Sequence, residues 1–62
     1  MTMKRMMRKT YSNVLVAAKA IQAKGYNERM SYKLAIQCFD EMEQNQNGMP
    51  VSWYIARIAI AE

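Results

Sequence analysis

Histidine is absent from this chain, and with it the one side chain whose ordinary titration falls between pH 5 and 8. No nucleophile stands beside an identifiable base, so the sequence argues against catalysis and expects no cofactor and no small-molecule substrate. The single cysteine, Cys38, cannot form an intrachain disulfide, and without histidine the mixed Cys and His set of a structural zinc site is incomplete. A lone thiol fits a reducing compartment. Long apolar runs are missing too: the longest, Val14 to Ala18, is far short of the ~20 residues needed to span a bilayer. The opening residues, Met-Thr-Met-Lys-Arg, lack the uninterrupted apolar core of a secretory signal. Together these absences point to a cytoplasmic protein without a transmembrane segment.

What is present is a high apolar content in a short chain. Hydrophobic residues make up 52% of the 62, well above a disordered composition, so a folded core is expected. A domain of this size buries only about 60% of its unfolded surface, and with neither disulfide nor metal the remaining source of extra stability is a second subunit. A homo-oligomer, a dimer first, is therefore expected.

Charge is divided unevenly along the chain. Residues 1–33 hold eight bases against Glu28, a net charge of +7, and residues 34–62 hold Arg57 against Asp40, Glu41, Glu43 and Glu62, a net charge of −3. A basic half joined to an acidic and apolar half points to an anionic partner met through the N-terminal side.

Two glycines and one proline divide the chain into three segments with no internal repeat. In the first, Met3, Met7, Tyr11, Val14, Ala18 and Ile21 recur at spacings of three and four, which places them on one helical face. Thr10 or Ser12 can cap this helix, leaving residues 1–9 as a basic arm or helix extension, and Gly25 suits the left-handed position after it. The second segment opens at Asn27, an N-cap, with Glu28 in the first turn. Its apolar face is Tyr32, Ala35, Ile36, Phe39 and Met42. The acidic end, Asp40, Glu41 and Glu43, opposes the helix dipole and calls for a nearby cation. Asp40 and Glu43 share a face and Glu41 points away, without the further ligands of a calcium or magnesium site. The third segment can start a helix with Pro50 in its first position. It is apolar nearly all round, and its β-branched and aromatic residues make a strand over 51–60 the competing reading.

The expected fold is thus all-α, a small three-helix bundle over residues 10–62 that dimerisation can complete, with helices near 10–24, 28–44 and 51–61. The alternative is α+β with a C-terminal strand. The core is expected to draw on Val14, Leu15, Ala18, Ile21, Ala35, Ile36, Phe39, Val51, Tyr54, Ile55 and Ile58, with Cys38 as a small buried hydrophobe at the margin.

Two sets of residues are candidates for function. Lys4, Arg5, Arg8, Lys9 and Lys19 form the basic set, suited to phosphates or another anionic partner, with a solvated charge face as the plain alternative. Tyr11 lies beside this set and can stack on a base, although its place on the apolar face favours the core. Trp53, Ala56 and Ile60 form an apolar set suited to a protein interface, either a homodimer contact or a partner's docking point. As a DNA-reading helix the third segment is poor, because Arg57 is its one base, so any nucleic acid would be held through its backbone without sequence specificity.

The Lys24-Gly25-Tyr26 turn resembles the Met-Gly-Phe or Met-Gly-Tyr loop of ubiquitin-associated three-helix modules. Lys24 stands where those modules carry methionine, and the likeness ends with the turn, so it carries no binding function across. The expectation is a non-enzymatic interaction module or accessory regulator that self-associates through its C-terminal helix and binds a macromolecular partner. A basic nucleic-acid-binding accessory protein is the alternative.

Overall fold

A computed structural model of the chain describes residues 10–61, in which three α-helices follow one another: α1 Tyr11–Gln22, α2 Glu28–Asn45 and α3 Val51–Ala56. The all-α three-helix bundle is the observed fold, and no strand occurs among the described residues. None of the described helices is long and apolar enough to cross a membrane. Lys4, Arg5, Arg8 and Lys9, assigned from the sequence to the anionic-partner site, lie outside the described residues.

Helix starts follow local chemistry. The Thr10 hydroxyl accepts the Asn13 amide at 3.2 Å, and Asn27 Oδ1 accepts the Met30 amide at 2.7 Å, so each side chain satisfies an N–H that the helix cannot. Pro50 sits one position earlier than expected, as the residue flanking α3, with its carbonyl accepting from Trp53 N. Between α1 and α2 the helix tightens, with Lys24 N–H donating to Ile21 O and Gly25 N–H to Gln22 O, and Gly25 then turns the chain at φ +106°. So short a connection makes α1 and α2 antiparallel neighbours. At the end of α2 the left-handed residue is Gln46, at φ 47°, rather than a glycine.

The core is built from Val14, Ala17, Ala18 and Ile21 of α1, Ala35, Cys38 and Phe39 of α2, and Val51, Tyr54 and Ile55 of α3. Eight of the eleven residues expected in the core are buried, and the differences lie at its margins. On α1, Ala17 is buried while Tyr11 is 69% exposed, because Tyr11 occupies the first turn and points off the packed stripe. On α2 the buried line is Ser31, Ala35, Cys38 and Phe39, with Tyr32, Ile36 and Met42 half-buried on its flank. Three of the four residues on that line, Ser31, Ala35 and Cys38, are small, which favours close packing because interaxial distance is set by side-chain size at the contact. Leu15 and Ile58, also expected in the core, are half-buried. The Tyr54 hydroxyl, carried inward, donates to Asn47 Oδ1 at 2.9 Å, and the same oxygen accepts the Met49 amide at 3.1 Å, which ties the α2–α3 loop to α3.

The expected helix over 51–61 is shorter in the structure, and the competing strand is not formed. After Ala56 the chain makes one turn and residues 59–61 run back to the α1–α2 turn. The Ala61 amide, which a continued helix would pair with the Arg57 carbonyl, donates instead to Lys24 O at 2.9 Å, and the Tyr26 hydroxyl donates to Ala59 O at 2.7 Å. β-Branched Ile58 and Ile60 hold a helix weakly, and these two tertiary bonds take their backbone neighbours out of it. A Cβ on Gly25 would meet the Ala61 Cβ at 3.3 Å, so glycine is needed there for the close approach as well as for its φ.

Candidate anion-binding interface

Antiparallel packing places the second half of α1 beside the first half of α2. The residues at spacings of three and four on α1, Tyr11, Leu15, Ala18, Lys19 and Gln22, face Glu28, Arg29, Tyr32 and Lys33, and together they line an open groove of about 500 Å3. Lys19, Arg29 and Lys33 are all exposed, and Glu28 is the one acid among them. Leu15 and Ala18 give the groove an apolar strip. Tyr32 is half-buried against the core, while Tyr11 is exposed at the other end of the α1 face.

Of the basic residues singled out from the sequence, the described structure contains Lys19, and it places Lys19 in this groove. Arg29 and Lys33 join it although the sequence reading left them out. Their i, i+4 spacing shows that they share a face of α2. What sequence could not supply is which face of α1 they meet. The arrangement offers three cations around a shallow trough with two tyrosine rings, which suits an elongated anion with flat apolar parts.

A second groove, of about 510 Å3, lies between α2 and α3 and is different in kind. Glu41, Gln37, Gln44 and Asn45 of α2 face Trp53 of α3 and Arg57 just after it. The Arg57 guanidinium sits 4.7 Å from the Trp53 ring centroid, and the Tyr54 ring meets Trp53 nearly edge-on, with centroids 4.9 Å apart. Cys38 reaches this groove, and burial, reinforced by the Glu41 carboxylate, pushes its thiol up from the ordinary value. The thiol is therefore held protonated and is a poor nucleophile.

The apolar set of Trp53, Ala56 and Ile60 is dispersed by the short α3. Trp53 is half-buried under Arg57, Ala56 is exposed at the helix end, and Ile60 is 70% exposed in the returning segment. Because Ile60 lies beyond the helix, the three do not form one helical face. Exposed apolar surface is found instead on α1, where Val16 is 71% exposed beside a smaller groove formed with Val51 and Ile55.

Among the described residues no group of three His, Cys, Asp or Glu side chains is placed to hold a metal ion. Compared with protein-family models, with curated proteins and with solved structures, the chain finds no match.

Proposed function

We propose that the protein is a non-enzymatic binding module whose partner is a nucleic acid, held through its phosphates without sequence specificity. The observation that carries this reading is the convergence of Lys19, Arg29 and Lys33 from two helices on one groove. Four further bases, Lys4, Arg5, Arg8 and Lys9, precede α1 in sequence and add to the charge available to a polyanion. Each cation that meets a phosphate releases a counterion, so affinity depends on salt in proportion to the contacts made. The lone thiol of Cys38 fits a reducing compartment, which supports a cytoplasmic reading of this activity.

Titrating a fluorescent mixed-sequence oligonucleotide at several salt concentrations tests the reading. Seven cations on a single strand give a slope of log affinity against log salt of at most about −5. Affinity that does not change with salt sinks it.

Self-association is the second reading, supported by the exposed apolar side chains of Val16 and Ile60. It makes the protein a dimer with two basic grooves, which strengthens binding to a long polyanion through effective concentration. Light scattering at high salt decides it, since a strictly monomeric protein under those conditions rules out an apolar dimer contact.

A further inference from the structure

The reading of the α1–α2 groove as a phosphate site leaves open which form of nucleic acid it takes, and we propose that it takes single strands, with Tyr11 stacking on a base. This inference rests on the phosphate reading and goes beyond it in assigning a role to an aromatic ring. A ring 69% exposed in the first turn of α1 contributes little to the core, which Val14 and Ala17 already fill. Tyr11 instead borders the groove that holds Lys19, Arg29 and Lys33.

The shape of the site favours one strand over two. The three cations line a trough, and a duplex presents its phosphates on a convex surface whose bases are stacked inward and out of reach of a ring at the rim. A single strand can lay its backbone along the cations and turn a base onto the ring. From Tyr11 to Gln22 the α1 edge of the trough runs roughly 16 Å, at about 1.5 Å per residue, which is enough for a few nucleotides. The third helix does not offer the alternative of entering a major groove, since α3 has six residues and its flanking Arg57 is stacked on Trp53. A cationic groove with sequence-tolerant aromatic stacking is the general solution for single strands.

The test compares a labelled single-stranded oligonucleotide, the same sequence as a duplex, and inorganic polyphosphate, at one low salt concentration and one high. The protein is used as the full chain, in its parent form and as Tyr11→Leu and Tyr11→Phe. The expected result is tighter binding to the single strand than to the duplex. Tyr11→Leu should lose roughly five- to a hundred-fold in affinity for the single strand, and Tyr11→Phe, which keeps the ring, should not. Polyphosphate has no bases, so its binding should be the same for all three proteins. Equal binding to duplex and single strand, or a Tyr11→Leu variant that binds the single strand like the parent, overturns this inference while salt-dependent binding leaves the phosphate reading standing. Loss of salt dependence on every probe overturns both.

Discussion

Two grooves of this domain have nearly the same volume and share one helix, yet they are opposite in chemistry. Along α2 the first turns carry Arg29 and Lys33, and the last carry Asp40, Glu41 and Glu43. The α1–α2 groove therefore gathers exposed cations, whereas in the α2–α3 groove the one cation, Arg57, is stacked on Trp53 and faces Glu41. A single amphipathic helix thus serves as a divider, and the charge asymmetry along the chain becomes an asymmetry between two surfaces. The lesson is that a binding surface is marked less by its number of charges than by whether the fold has already used them.

The most disruptive way to test that division is to remove the side chain both grooves depend on. Phe39 is almost wholly buried where all three helices meet, and Phe39→Ala should cost about 3–5 kcal/mol, most of the stability of a domain this size. Urea unfolding with circular dichroism should show the variant largely unfolded at 25 °C, and both surfaces should be lost together.

Charge reversal separates the grooves. The triple variant Lys19→Glu, Arg29→Glu, Lys33→Glu should weaken oligonucleotide binding on the order of a hundred-fold at low salt and lower the salt slope by about 2, with the fold kept because all three side chains are exposed. Arg57→Glu, in the other groove, should leave the slope at the parent value. Equal losses in both variants would show that net charge, and not the α1–α2 groove, governs binding.

Smaller effects probe the interior on either side of α2. Ser31 is fully buried and its hydroxyl has no hydrogen-bond partner among the described residues. Ser31→Ala removes that unsatisfied group and favours helix, so stability should rise by about 1 kcal/mol. Thermal unfolding should then shift upward by roughly 4–8 °C. On the other side, the raised Cys38 thiol links stability to alkaline pH. Its contribution is complete below the ordinary thiol pKa and is lost as pH rises through the folded value, because the unfolded thiol ionises first. Urea midpoints measured from neutral pH to about pH 10 should fall less steeply for Cys38→Ala than for the parent.

The parts legible in the sequence are those governed by local chemistry. Thr10, Asn27 and Gly25 mark their boundaries because a cap or a positive φ is decided within a few residues. Periodicity located α2 and its apolar side, but Ser31 and Cys38 in the core reflect how closely the helices approach, which spacing does not encode. Tyr11 satisfied the periodic pattern and still lies in solvent, because in the first turn of α1 it points off the stripe that packs. The end of α3 was hidden for a related reason: the groups that draw residues 59–61 away, the Lys24 carbonyl and the Tyr26 hydroxyl, lie far off in sequence. The candidate site divides along the same line. Lys19 could be named from its exposed position, while Arg29 and Lys33 enter once α1 and α2 are known to lie antiparallel.

The contact of residues 59–61 with the α1–α2 turn also bears on the order of folding. The α1–α2 hairpin closes through a short connection and can form early, whereas the Tyr26 to Ala59 bond joins positions 33 apart and carries a larger loop-closure entropy. On that argument the returning segment should act as a latch that closes after the helices have docked. Hydrogen exchange at the Ala61 amide distinguishes molecules that have completed the bundle from those that have formed its first hairpin alone.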